Sequence, residues 1–418
     1  MKKVLVHNIG LLCTPVGSHV HAGAQQAEIQ SIPQACVLAE DGVITYCGPA
    51  SGLPQGAAEG ARHIDASGCL VTPGLIDAHT HLVFGGWRQH EIPLKLAGAG
   101  YLDILRSGGG ILSTVKHTRQ ESEEQLTQKA WAFLDEMLTL GVTSCEIKSG
   151  YGLDLETELK QLRVIRELAQ SHPMDIASTF LGAHAVPEEY KGNSDGYVDY
   201  LIDTMLPTVA EQKLARYCDV FCETGVFDVP QSRRVLEAGK ALGLLPRIHA
   251  DEIDAIGGAV LAGEVGAVSA EHLIATDEEG MQAMAKAGVI ADLLPATSFY
   301  LDKTFAPARR MVELGIPVVI ASDFNPGSCP SLNLPFAMNL GLLRYKLKPE
   351  EVLNAVTINA ACSVGMEDRL GTLEAGKQAD LVIWDAPDLE MILYRFGSNL
   401  CRTVLKKGEV VACHEGKE

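Results

Sequence analysis

Two histidines separated by a single residue, His79 and His81, close the apolar run LVTPGLIDAHTH. Residues two apart on a strand face the same way, so this spacing aims both imidazoles into one space. His249 ends LLPRIHADE and Asp323 ends PVVIASD, each where an apolar run gives way to polar residues. A pair of histidines alone is more often structural. Three imidazoles and one carboxylate at the ends of separate strands, however, make the donor set of a metal site that still has room for a water. A Zn2+ or Fe ion in such a site lowers the pKa of its water enough to give hydroxide near neutral pH and can polarise a carbonyl, which is hydrolytic chemistry without a covalent enzyme intermediate. Nitrogen and oxygen donors accept either metal, so the residue types do not choose between them.

Other residues at strand ends add acid, base and recognition groups. Glu252 follows His249 by three residues and is placed to meet a ring nitrogen and pass a proton, whereas its neighbour Asp251 reads as a helix cap. His272, ending VSAEH, reads as a proton acceptor or a supporting partner of the metal ligands. Arg88, in GGWRQ just after the first histidine pair, is the natural bidentate partner for a carboxylate in so acidic a chain. Tyr151 in KSGYGLD, His184 in TFLGAH and the turn Asn325-Pro326-Gly327-Ser328 offer further pocket-lining groups.

Positioning these residues requires a particular architecture. From about residue 70 the pattern alternates apolar strand, polar loop and amphipathic helix, as in parallel βαβ units. Candidate strands end near His81, Gly150, His184, Glu223, His249, His272, Leu294 and Asp323, and eight such units close an α/β (β/α)8 TIM barrel whose active site sits on the rim where strands end. Helical periodicity marks ESEEQLTQKAWAFLDEML and LETELKQLRVIRELAQ as outer-ring helices carrying no chemistry. RSGGGILS lacks phosphate-loop spacing and reads as a tight substrate-side loop. The two chain ends look different: VLVHN, ACVLAE and VITYCG, with a hairpin turn at Asp41-Gly42, and QADLVIWD and TVLKKGEVVAC near the other terminus. They predict a small β-sandwich domain built from residues 1–70 and 371–418, with the barrel, 71–370, inserted between them.

Of 418 residues, 47% are apolar and 21% charged, a balance that buries a sizeable core. A net charge of −19 argues against a surface built to neutralise nucleic-acid phosphates or anionic lipid; because it says nothing local, a small anionic substrate stays open where an Arg such as Arg88 overrides the global field. Eleven scattered cysteines without CxxC pairs read as reduced thiols of a cytoplasmic protein. The first residues do not read as a leader, because His7 and Asn8 interrupt the apolar stretch, and no run reaches the roughly 18 apolar residues that span a bilayer.

HLVFGGWR, YLDILRSGGGILSTVKHTR, EIKSGYGLD, TFLGAHAVPEEY and SDFNPGSCPSLN, together with DAHTH, SAEH and AGKQADLVIWD, resemble the imidazolonepropionases of the amidohydrolase superfamily. The resemblance spans nearly the whole chain. It implies metal ligands His79, His81, His249 and Asp323 holding one Zn2+ or Fe3+ per chain, with catalytic roles for Glu252, His272 and Asp323. It also implies substrate contacts from Arg88, Tyr151, His184, Glu252, Asn325, Gly327 and Ser328. The implied reaction is ring opening of 4-imidazolone-5-propanoate in histidine degradation; the alternative is a sister deaminase or hydrolase of another heterocycle, such as a cytosine-type base. Related two-metal sites bridge their ions with a carbamylated lysine on the fourth strand, but here that strand reads DVFCET and Lys148 lies on the second. One ion, with Lys148 unmodified in a buried ion pair, is therefore expected. Barrels of this kind often pair as homodimers, though no stretch marks an interface.

Overall fold

The computed structural model describes residues 2–98 and 109–413. Strands from both chain ends form the β-sandwich domain: β1 (Lys3–Thr14), β2 (Gln30–Glu40), β3 (Val43–Pro49), β4 (Arg62–Asp65) and β5 (Leu70–Pro73) share one sheet with three strands from the other terminus, joined to them through β5. Asp41 and Gly42 make the β2–β3 turn with φ of 46° and 85°, the left-handed backbone that a two-residue hairpin needs. Period two is visible along β1, where Val4 and Val6 enter one core and Leu5 enters another.

The barrel strands follow in chain order: β6 (Leu75–Asp77), β7 (Val142–Lys148), β8 (Asp175–Ala183), β9 (Tyr217–Cys222), β10 (Leu245–Ala250), β11 (Ser269–His272), β12 (Ile290–Leu293) and β13 (Val318–Ile320). Each is parallel to and bonded with the next. The ring closes just beyond β6 and β13, where Asp323 N donates to His79 O at 3.1 Å and His81 N to Phe324 O at 2.9 Å. All eight expected strand ends lie within a few residues of those observed. Every residue of β7 is buried, as a parallel strand covered on both faces must be.

The run LVTPGLIDAHTH is not one strand. It breaks at Gly74, so that β5 belongs to the terminal sheet and β6 opens the barrel. A Cβ on Gly74 would lie 2.3 Å from Thr143 Oγ1, which makes glycine a steric requirement at the crossing.

The terminal strands β14 (Leu381–Trp384), β15 (Cys401–Lys406) and β16 (Glu409–Cys413) complete the first sheet, in the order β16-β15-β14-β5-β1-β2-β3 with β4 beside β1. β14 ties the two units together, because Leu381 and Ile383 enter the sheet's own core while Val382 and Trp384 enter the barrel's. Buried Trp384 donates its indole N–H to Thr72 Oγ1 at 2.9 Å.

Helices occupy Glu123–Thr139, started by a Ser122–Gln125 capping box, and Leu155–Ser171, capped by Asp154. The second corrects the expectation that outer-ring helices carry nothing for the site. Glu158 turns inward and accepts from the backbone N–H of Gly150, Gly152 and Leu153, and Gln161 accepts from that of Tyr151. The loop bearing Tyr151 is thus shaped by the helix that follows it. In RSGGGILS, residues 106–108 lie outside the described residues; Gly110, with φ of 72°, leads into the helix Ile111–Gln120.

Candidate active site

The DAHTH segment is clamped between two strands. Thr80 Oγ1 donates to Glu146 O at 2.6 Å, Lys148 N donates to Thr80 O at 2.9 Å, and the opposite edge makes the ring-closing bonds to residues 323 and 324. This fixes His79 and His81 on the barrel mouth. Their Nε2 atoms lie 3.5 and 3.6 Å from Asp323 Oδ1. Tetrahedral ligands about 2.05 Å from a zinc ion stand about 3.3 Å apart, so these separations already suit a shared cation. His249 joins from β10, its ring centroid 4.7 Å from that of His79 and 5.7 Å from that of His81.

Hydrogen bonding says which atoms are available. Both nitrogens of His79, Nδ1 of His81 and Nε2 of His249 are buried with no hydrogen-bond partner among the described residues, a costly arrangement unless something else binds them. His249 Nδ1 lies 3.1 Å from Asp219, an acceptor only, so Nδ1 carries the proton and Nε2 presents a lone pair. Burial holds all three imidazoles well below the ordinary histidine range, and therefore neutral, as metal ligation requires. Burial pushes the Asp323 carboxyl up to about 6 with the protein groups alone, against the pull of His272 and of Thr297, whose hydroxyl donates to Oδ2 at 2.5 Å. Asp323 and His272 adopt φ of 55° and 68°, left-handed strain of the kind found where a site dictates the backbone. These residues fit a single cation.

Beneath lies a layer of buried charge. Lys148 Nζ bonds Glu146 Oε1 at 3.0 Å and Asp219 Oδ2 at 2.9 Å, all three side chains fully buried. Burial alone would lower the lysine's pKa, but the two carboxylates outweigh it and raise it, which favours the charged ammonium. The cluster of Asp219, His249 and Glu271 also has ligand-type atoms close together, but this ammonium already occupies Asp219. Arg247 bonds Glu271 at 3.0 Å and Asp292 at 2.6 Å in the same layer.

Around the rim, His272 Nε2 is 3.6 Å from Glu252 Oε2, and the Glu252 side chain is 16% exposed. Burial, then repulsion from Glu223, pushes the Glu252 carboxyl up to about 7. Glu223 in turn holds that loop by accepting from Ile253 N at 2.8 Å and Asp254 N at 3.2 Å. Asp251 is not the N-cap residue of the following helix, a place Gly257 takes, but its carboxylate reaches back to that helix's start and accepts from Gly258 N and Ala259 N at 3.1 and 3.2 Å. His184 stacks on His81 with centroids 5.1 Å apart and hydrogen-bonds Gly150 O through Nδ1, which leaves its Nε2 lone pair free of the proton; burial lowers its pKa to about 4. Tyr151 is buried, with ring centroids 5.8 Å from His81 and 5.3 Å from His184.

The Asn325 side chain is taken up in its own turn: Oδ1 accepts from Gly327 N and Ser328 N, and Nδ2 donates to Asp323 O and Ser328 Oγ. Arg88 meets this turn, since a Cβ on Gly327 would fall 2.1 Å from its Nη1.

An amidohydrolase family profile matches residues 96–412. An imidazolonepropionase of Alkaliphilus metalliredigens (strain QYMF) is 52% identical over 416 residues, covering 98% of each chain. The chain belongs to the imidazolonepropionase family of amidohydrolases. Another member, from Streptococcus pyogenes serotype M3, is 48% identical over 410 residues and 97% of each chain. Among solved structures, E. coli guanine deaminase matches with a TM-score of 0.68 at 14% identity, covering 99% of this chain and 100% of that one. A Xanthomonas campestris adenosine deaminase with bound zinc gives 0.67 at 18% identity, covering 98% and 92%. At such identities the likeness is one of fold.

Sequence reasoning passed over the groups that steady the candidate ligands: Asp219, Glu146, Glu271, Thr297 and Glu223. A signal for several was present, because charged residues inside apolar strand runs, as in TSCEIK, YCDVFC and SAEH, have to be paired in the interior.

Proposed function

We infer that the chain hydrolyses the ring C–N bond beside the carbonyl of 4-imidazolone-5-propanoate, giving N-formimidoyl-L-glutamate, a step of histidine degradation. The observation that carries this reading is the convergence of partnerless, neutral imidazole nitrogens with Asp323 at one barrel mouth, in a chain of this family.

His79, His81, His249 and Asp323 would hold one Zn2+ or Fe3+. When bound, such a cation acidifies a water and polarises a carbonyl. Asp323 and His272 would accept the proton released by a water whose oxygen adds to the ring carbonyl carbon. Glu252, kept protonated to about pH 7, donates to the ring nitrogen and delivers a proton to it as the C–N bond breaks. Arg88 anchors the propanoate, and Tyr151, His184 and the turn of Asn325, Gly327 and Ser328 shape the remaining walls.

The test is an assay on imidazolone propanoate generated in situ. Arg88→Ala should raise KM by about 100-fold with a smaller effect on kcat, the pattern of a lost binding contact. Activity indifferent to that change would favour a neutral heterocycle, such as a cytosine-type base, as the substrate.

A further inference from the structure

Arg88 does not reach its site as a free side chain. Its Nε and Nη2 donate to Glu91 Oε1 and Oε2 at 3.0 and 3.1 Å, a fork matched to a carboxylate. The Glu91 side chain is completely buried, whereas that of Arg88 is 12% exposed. The same Glu91 Oε1 also accepts from Gly110 N at 2.6 Å, and Glu91 N donates to Arg88 O at 3.0 Å, so the carboxylate is held in place from two directions. On another side the guanidinium lies against Gly327, close enough that a Cβ there would stand 2.1 Å from Nη1 and 2.6 Å from Cζ.

Resting on the reading of Arg88 as the anchor of the substrate's carboxylate, we propose that Glu91 and Gly327 are specificity-determining positioning residues, which lock the Arg88 guanidinium in the one orientation that grips an anionic tail. The charge balance gives this a sharp sign. If Glu91 merely neutralised Arg88, removing its charge would strengthen binding of an anion. If Glu91 aims Arg88, removing it weakens anion binding even though the local field becomes more positive, because a long flexible side chain then has to be ordered by the ligand itself. Gly327 acts by a separate route, leaving room that any side chain would fill.

The experiment compares inhibition of the enzyme by 3-(imidazol-4-yl)propanoate and by its uncharged carboxamide, alongside kcat and KM, in Glu91→Gln, Gly327→Ala and Arg88→Ala. Glu91→Gln is expected to raise KM about tenfold or more, with the loss falling on KM rather than kcat, and to shrink the preference for the acid over the amide by a similar factor. Gly327→Ala should do the same without touching a charge, so the proposal stays open to test should Glu91→Gln fail to fold. Tighter binding of the acid by Glu91→Gln, or an unchanged acid-to-amide preference in Gly327→Ala, overturns it. If Arg88→Ala itself leaves the preference unchanged, the proposal also falls, and the fault lies in the anchor reading on which it rests.

Discussion

Replacing Asp219 with asparagine keeps the shape of a fully buried side chain while removing the charge that two donors share. In the native protein its carboxylate forms an ion pair with Lys148 Nζ at 2.9 Å and accepts a hydrogen bond from His249 Nδ1 at 3.1 Å. Breaking a buried ion pair from one side costs about 3–5 kcal/mol. Lys148 keeps Glu146 at 3.0 Å, so its ammonium is not stranded, and a loss near the lower limit, about 3 kcal/mol, is expected. His249 loses more than strength. An amide can turn its NH2 toward Nδ1 and so favour the tautomer with the proton on Nε2, the atom that must bind the metal. Loss of such an outer partner lowers metal affinity by about 10–100-fold, equivalent to about 1.4–2.7 kcal/mol. Denaturant unfolding measures the first effect, and competition for Zn2+ with a chromophoric chelator at fixed pH measures the second. An Asp219→Asn protein that binds Zn2+ as tightly as the parent would show instead that His249 owes neither its tautomer nor its orientation to Asp219.

Two further changes probe other parts of the structure. Glu252 is a proton donor only below its raised pKa, so kcat should decline as pH rises through about 7; Glu252→Gln should abolish that limb and lower kcat by about 100-fold or more, as a pH–rate series would show. Because this folded-state value lies above the ordinary carboxyl value, the same group costs stability as pH climbs from that ordinary value toward 7. Gly74→Ala places a Cβ 2.3 Å from Thr143 Oγ1 at the crossing between sheet and barrel, and should cost about 1–3 kcal/mol in denaturant unfolding.

Much of this site was legible because parallel barrels report their chemistry at strand ends. The change from apolar to polar at His81, His249, His272 and Asp323 marks both the strand and its candidate site residue, and the folded chain brings all four to one mouth. The break at Gly74 was not legible, since β5 and β6 form one uninterrupted apolar run and only the approach of Thr143 from β7 divides them. The inward turn of Glu158 and Gln161 was hidden by helical periodicity, which sorts residues by polarity and so assigns a buried glutamate to the solvent face. Glu91 was missed for a similar reason, because nothing in EIPLK distinguishes a buried acid locked onto Arg88 from a solvated one.

We propose that His79, His81, His249 and Asp323 together hold one catalytic cation. This proposal is tested most directly by stripping the protein with a chelator and titrating Zn2+ or iron back while following ring opening of imidazolone propanoate. Activity should rise linearly and break at one equivalent per chain, and the break should vanish in Asp323→Ala. A break at two equivalents, or full turnover in protein shown by elemental analysis to hold no metal, would contradict it.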